Sequence, residues 1–545
     1  MSSPPRPFYY LENFSEALAC LKSRYADLLL DPELTFIDTF ARLPQASAAL
    51  LVRMIMRTGD LFRTSKLRYA EIGPPENAAE PLVDLGWVDP RPSLTLQQLC
   101  SVLRRDELRS ALRLKRRPKI PVDRARQLSL DLTVEEARPL ERWWNEAPDR
   151  VLRIAVSDLC ERLRLMFFGS FRQDWAAFVL ADLGVQRYET VAIDGSARAF
   201  RTRAEIEHFH ALYRSREQLH ADAPPEHLLA SIPPPLRPDS WIETHRSKLL
   251  YLIGQRHEKS GQLAQALAAY ESCRHPEARI RSVRVLERLG RFADAAALLT
   301  SIESAAANEI ESQQALRIRP RVLRKLGRDA RALRFERAWP TFDLSLEPRD
   351  STHSVECVVR DHLATPTAPV VYVENTLVNS LFGLLFWDVI FAPVPGAFFH
   401  PFQAAPVDLL ETEFRARRAP QLDACFAQLA SERYRETILA NFERKNGIQA
   451  PFVAWKLLTE ELLLLALTCI PAAHLCAFFE RLLADLRLNR TGLPDLIQFW
   501  PDEQRYRLIE VKGPGDRLQD NQLRWLGFCA AHGIPVEVCN VRWIQ

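Results

Sequence analysis

Residues 506–528 read YRLIEVKGPGDRLQDNQLRWLGF. A carboxylate and an ammonium, Glu510 and Lys512, interrupt an apolar, strand-like run just before a Pro/Gly turn. Charges are seldom buried unless paired or bound to a metal, so the pattern needs a structural or a chemical reason. Upstream, LPDLIQFW begins a first short strand with Asp495 near its start, PDEQ is a turn, and YRLIEVKG returns as the second strand of a hairpin. Strand side chains alternate, so Leu508, Glu510 and Lys512 share one face, while Ile509 and Val511 point to the other. The hairpin brings Asp495 towards Glu510. Two carboxylates at close range repel unless a cation sits between them. A hard divalent ion such as Mg²⁺ or Mn²⁺ suits oxygen ligands, and the Val511 carbonyl can add another.

After the hairpin, GPGD turns the chain and RLQDNQLRWLGFCAAHG reads as a helix. Leu518, Gln522, Trp525, Leu526 and Cys529 recur at helical spacing, and Gly533 suits its end. PVEVCNVRW closes as a final strand. Strand, strand, helix, strand, with acids on the hairpin, is the core plan of the PD-(D/E)xK nucleases. The signature is Pro494-Asp495, fourteen residues, then Glu510-Val511-Lys512. A bare E-x-K arises about once by chance in a chain this long, and its bland reading is a surface ion pair. The upstream Pro-Asp at hairpin distance, the apolar alternation, and Gln522 with Trp525 on the next helix favour the chemical reading. A third acid is wanted, and Glu374 lies just ahead of the apolar helix in YVENTLVNSLFGLLFWDVIF. Its alternative role is a helix N-terminal carboxylate favoured by the dipole. Asp388, Glu460 and Glu461 are poorer candidates. In this reading Glu374, Asp495 and Glu510 are catalytic and, with Val511, hold the metal, and Lys512 is the catalytic ammonium. The cation lowers the pKa of a bound water and polarises the phosphate. Lys512 places that water or meets growing charge.

The whole chain has 545 residues, too many for one core, so about three to four domains are expected. Hydrophobic residues make up 47% and charged residues 26%, an ordinary folded composition. With Lys+Arg 72 against Asp+Glu 69, nucleic-acid binding must come from local patches rather than global charge. The ten cysteines form no C-x-x-C pair, which argues against a Cys-rich zinc site. The start, MSSPPRPFYYLENF, lacks a secretory pattern. The apolar run at 381–396 contains Asp388 and two prolines, too short and interrupted to span a bilayer. A reduced, cytoplasmic setting without membrane attachment is expected, nucleoid-associated in action, or nuclear in a eukaryote.

Five segments follow from the patterning. Residues 1–75 read as helical, with Leu50, Leu51, Met54 and Ile55 at helical spacing and Arg53, Arg57 and Arg63 as candidate DNA contacts beside Phe62 and Tyr69. A solvated helix face is the alternative. Residues 76–140 hold Leu96, Leu99 and Leu103 on one helix face, then a basic block from Arg104 to Arg126 with Arg113, Lys115, Arg116, Arg117 and Lys119. This segment loosely resembles a SAP module, although the usual glycine is missing. Residues 141–238 are helical and end in the Pro-rich PPEHLLASIPPPLRP. There, His208 and His210 are expected to pack rather than bind metal. Residues 239–345 carry tetratricopeptide-like spacing: Gly254, Gly261, Ala266 and Tyr270, then Gly290, Ala295 and Leu299, then a degenerate Gly327 and Ala332. Residues 346–545 form the α/β catalytic domain.

The segment from about 370 onward is similar to the VRR-NUC branch of PD-(D/E)xK nucleases. EVKGPGDRLQDNQLRW, GLPDLIQFW, and FGLLFWDVIF with HPFQAAPVDL resemble the Fanconi anaemia-associated nuclease family more closely. The order of parts, helical and SAP-like, then repeats, then nuclease, agrees. The resemblance implies metal ligation by Asp495 and Glu510 with Mg²⁺ or Mn²⁺, a role for Lys512, and the upstream acid at Glu374. It also implies that Asp516 and Arg517 are needed for activity, and Gln522 is a further candidate DNA contact. It implies structure-selective cutting of 5′ flaps, 5′ to 3′ digestion and interstrand crosslink repair. The start lacks the Cys/His cluster of the ubiquitin-binding finger in animal members, which points to a bacterial-type protein. The expected partner is branched or flapped double-stranded DNA, bound by a monomer. The alternatives are a non-catalytic DNA-binding repeat scaffold, or a nuclease for four-way junctions or RNA.

Overall fold

The computed structural model describes residues 7–112, 136–182, 184–193, 197–221, 223–237, 240–328, 339–347, 354–411 and 413–544. The chain divides into two compact units, Met1–Arg187 with Asp194–His210, and Tyr188–Ile193 with Ala211–Gln545.

In the first unit, helices Tyr9–Tyr25, Asp31–Phe40 and Gln45–Ile55 pack together. Phe14 anchors them, its ring 5.1 Å from Phe40 and 4.9 Å from Trp175. The helical reading of residues 1–75 misses a strand. β1 (Leu61–Arg63), β2 (Val88–Asp89) and β3 (Val151–Ile154) form a small antiparallel sheet in the order β1-β3-β2. LFR is too short to show a period, and its partner strand lies far along the chain. Helices Leu96–Val102 and Arg105–Ala111 occupy the SAP-like segment. Leu96, Leu99 and Leu103 are buried there as the spacing predicts. Arg113, Lys115, Arg116, Arg117 and Lys119 lie outside the described residues. His208 and His210 are buried, and His210 Nε2 lies 2.8 Å from Glu161.

The second unit begins with stacked helices: Trp241–Lys259, Leu263–Glu271, Ala278–Arg288, Phe292–Ser304 and Glu309–Lys325. Gly261, Gly290 and Gly327 follow alternate helices with φ of +78°, +73° and +68°, the left-handed turn that glycine takes cheaply. Ala266 and Ala295 are fully buried where paired helices touch. Ala332 of the degenerate third repeat lies outside the described residues. The last of these helices meets the C-terminal α/β part: Arg524 donates to Gln313 Oε1 at 2.7 Å, and Arg317 pairs with Asp520.

The C-terminal sheet has five strands: β4 (Thr341–Leu346), β5 (Val370–Tyr372), β6 (Leu496–Trp500), β7 (Arg505–Lys512) and β8 (Val536–Trp543). Their order is β4-β8-β7-β6-β5, with β4-β8 and β8-β7 parallel and the rest antiparallel. The sheet therefore starts ahead of the 345/346 boundary read from sequence. Both faces are covered. Leu508, Val536 and Val538 pack with helix Asp520–Ala531 and a helical block spanning 377–484. Leu496, Ile509, Val511, Cys539 and Val541 pack on the other side with Val358 and Val359 of helix Val355–Leu363. Each such aliphatic side chain, fully buried, contributes about 1.5–3 kcal/mol. Among the described residues no single helix is long and apolar enough to cross a membrane. The bent pair Glu460–Cys469 and Ala472–Ala484 packs its leucines and phenylalanines into the first of these cores.

Candidate active site

The β6–β7 register pairs Leu496 with Ile509, so Asp495 continues opposite Glu510. Asp495 Oδ2 accepts the Val511 amide at 2.8 Å, which clamps the two strand ends together. Asp495 is 6% exposed and Glu510 0%. Lys512 Nζ lies 2.6 Å from Glu510 Oε1, an ion-pair distance. Neither oxygen of Glu510 has a donor aligned as a hydrogen bond. Burial first, then the neighbouring Asp495 charge, pushes Glu510 up to about 8, against the pull of Lys512. Burial likewise raises Asp495 to about 6, opposed by the Val511 amide and Lys512. One ammonium does not offset the burial of two adjacent carboxyls. Their hard oxygens and orphaned lone pairs fit a divalent cation.

Glu374 enters from the adjacent strand. The Val373 amide donates to the Asp495 carbonyl at 2.8 Å, which fixes the chain one residue before Glu374. Asn375 then turns with φ +52°, and its Oδ1 accepts the Gly492 and Leu493 amides at 2.8 and 3.1 Å. The Glu374 carboxylate accepts from the Tyr372 hydroxyl and from Asn375 Nδ2 at 3.1 Å. Its charge is felt at both Asp495 and Glu510. Held by those donors, it does not close a ligand set: among the described residues no group of three acid, His or Cys side chains is gathered to hold a metal. The structure thus assembles Asp495, Glu510 and Lys512, and leaves Glu374 beside them on Tyr372.

One acid escaped the sequence reading. Glu356, in the first turn of helix Val355–Leu363, also raises Asp495 electrostatically. The signal was present, because Ser354 is an N-cap whose Oγ accepts the Cys357 amide. Asp516 Oδ2 accepts the Gly513 amide at 3.0 Å and shapes the turn after Lys512, while Arg517 is exposed. Gln522 Oε1 accepts the Gln519 amide at 2.8 Å and serves as a helix cap.

The N-terminal arginines require correction. Arg63 is only 6% exposed and pairs with Glu107 at 2.5 Å and Asp149 at 2.9 Å, so it is an internal ion pair rather than a DNA contact. Arg53 pairs with Glu71 at 2.7 Å and stacks over Tyr10, 3.9 Å from its centroid. Its charge is committed internally too. Arg57 is more open, donating to the Lys66 carbonyl at 2.9 Å.

Comparison with known proteins gives consistent matches. The family model described as VRR-NUC domain matches residues 429–543, and the one described as FAN1, HTH domain matches residues 8–89. The chain is 49% identical to a Fanconi-associated nuclease 1 homolog of Pseudomonas aeruginosa, over 99% of this chain and 96% of that protein. It is 24% identical to a homolog of Arabidopsis thaliana, over 99% of this chain and 68% of that one. Fanconi-associated nuclease 1 of Homo sapiens aligns over 31% of this chain and 17% of its own length, at 34% identity. Crystal structures of paFAN1 bound to 2-nt and 1-nt 5′ flap DNA with a gap superpose with TM-scores of 0.94, at 49% identity. They cover 100% and 99% of this chain, and 100% of each of theirs.

Proposed function

The chain belongs to the Fanconi-associated nuclease family and is a nuclease, and from that premise we propose a divalent-metal-dependent enzyme that cuts 5′ flaps near the branch. It further digests DNA 5′ to 3′ and acts, as a monomer, in interstrand crosslink repair. The observation that carries this reading is the buried pair Asp495 and Glu510 against Lys512 in the VRR-NUC segment. The flap DNA in the related structures supports the substrate.

Asp495, Glu510 and the Val511 carbonyl are the residues that would hold Mg²⁺ or Mn²⁺, with Glu374 joining when it leaves Tyr372. When bound, the cation supplies Lewis-acid polarisation of a phosphate and a more acidic water. Asp495 also accepts the Val511 amide, so it orients the carbonyl of the same residue. Lys512 places an ammonium beside Glu510, where it orients the attacking water or meets charge growing on phosphoryl oxygens. Burial of the site keeps those interactions strong, because little water screens them. Lysine and arginine contacts to the DNA backbone carry little sequence information, so selectivity is for shape.

The test is cutting of a 5′-flap duplex with and without Mg²⁺ or Mn²⁺. Asp495→Ala and Glu510→Ala are expected to abolish cutting, and Lys512→Ala to slow it on the order of 10²–10³-fold. Undiminished cutting by both carboxylate variants would end this assignment.

A further inference from the structure

The catalytic face of the sheet does not stop at Lys512. In the parallel β7–β8 ladder, Lys512 stands opposite Asn540, and the alternation of β8 puts Arg542 on the same side, one step further on. A cavity of about 530 Å³ opens there, between Lys512, the Gly513–Asp516 turn and the end of β8 from Asn540 to Trp543. That volume lies within the usual range for ligand pockets, about 300–1,000 Å³. Resting on the nuclease reading, we propose that this cleft is a substrate-strand subsite in which Arg542, aided by Asn540, binds the backbone phosphate next to the one being cut.

Four observations lead there. A strand presenting its phosphate to Lys512 has to continue past it, and this cleft borders Lys512 directly. Arg542 is open, with its side chain 73% exposed, and its partner Asp343 on β4 is 49% exposed at 2.7 Å. A pair so solvated holds weakly and exchanges readily for a phosphate, whose oxygens match the planar guanidinium fork. Asn540 Nδ2 bonds the other oxygen of Asp343 at 3.0 Å, so both donors are already gathered at the cleft wall. Asp516, the acid on the opposite wall, is engaged by the Gly513 amide. Arg542 therefore contacts the substrate strand beside, not at, the bond being cut.

The experiment measures binding of a 5′-flap duplex by the full chain in chelator, where no cutting occurs, as a function of salt. Arg542→Ala should weaken binding about tenfold and flatten the slope of log Kd against log salt by about 0.7–0.9, the release of one phosphate contact. Arg542→Lys should keep most of the slope. Asp343→Asn, which breaks the same ion pair but keeps the cation, should leave the slope unchanged. Replacing single phosphates by neutral methylphosphonates should show one position beside the cut site that matters to the wild type and not to Arg542→Ala. An unchanged slope and phosphonate profile in Arg542→Ala, with wild-type cutting intact, overturns the subsite alone. Equal losses in Asp343→Asn and Arg542→Ala overturn it as well, since they reduce the arginine to a strand brace. A wild type that neither binds nor cuts the flap overturns the nuclease reading with it.

Discussion

Replacing Gly492 by alanine tests how tightly the site is braced. Gly492 has φ +94°, and a Cβ built there would sit 2.7 Å from both the backbone carbon and Cβ of Asn521. The left-handed region costs an alanine about 1–2 kcal/mol. Overpacking adds about 1–3 kcal/mol, because the obstacle is backbone in the first turn of helix Asp520–Ala531. That helix cannot slide away cheaply. Trp525 is buried in it, and its Nε1 donates to the Asn489 and Thr491 carbonyls at 3.2 Å. A stiffer unfolded chain returns about 0.4–1 kcal/mol. The net loss is about 1–5 kcal/mol, centred near 3, by summing these ranges. Function should suffer as well as stability, since Asp495 follows three residues later and the Gly492 amide is held by Asn375. A shift of about 1 Å at a reacting group costs on the order of 10²-fold in rate. The assay pairs guanidinium unfolding with flap cutting at saturating Mn²⁺. Gly447→Ala is the control: it has φ +78° and open space around the would-be Cβ, so only the backbone penalty applies. A Gly492→Ala protein with the wild-type unfolding midpoint and rate would refute this reasoning.

Other outcomes follow from the same structure. Glu510, raised to about 8, keeps a proton in the folded state that the unfolded chain loses near the ordinary glutamate value. The metal-stripped protein should therefore lose stability as pH climbs from about 4.5 to 8, by the linkage sign, and Glu510→Gln should flatten that fall in a thermal-melt series. Arg63→Ala strands two carboxylates against the first unit's core and should cost about 3–5 kcal/mol in denaturant unfolding, while the salt slope of DNA binding stays put. Tyr372→Phe removes the hydroxyl that holds Glu374, and calorimetric titration should show tighter Mn²⁺ binding. Unchanged or weaker binding would show that the tyrosine does not restrain the ligand.

The catalytic pair was legible because its parts are local. Asp495, Glu510 and Lys512 lie on one hairpin, so alternation alone puts them together. Gly261, Gly290 and Gly327 were legible for a similar reason, each ending a helix that precedes it, whereas Gly254 lies inside helix Trp241–Lys259 against the Tyr270 ring. Arg63 was misread because its partners lie 44 and 86 residues away, where nothing in LFRTSKLR announces them. The restraint on Glu374 was also hidden. Its neighbour Asn375 is tied to Gly492 across 117 residues, and that tie decides which way the loop turns. β4 was invisible as part of the sheet because TFDLSL is a half-exposed edge, recognisable only once its partner is known.

The strand order β4-β8-β7-β6-β5 sets the timing of the enzyme's birth. β8 is the last of the five strands to be synthesised, yet it lies inside the sheet, joined to β4 across 197 residues. Until Val536–Trp543 has emerged from the ribosome, β7 has a bare edge and the wall carrying Asn540 and Arg542 does not exist. A chain that still lacks β8 thus carries its helices and repeats before the middle of its sheet is filled.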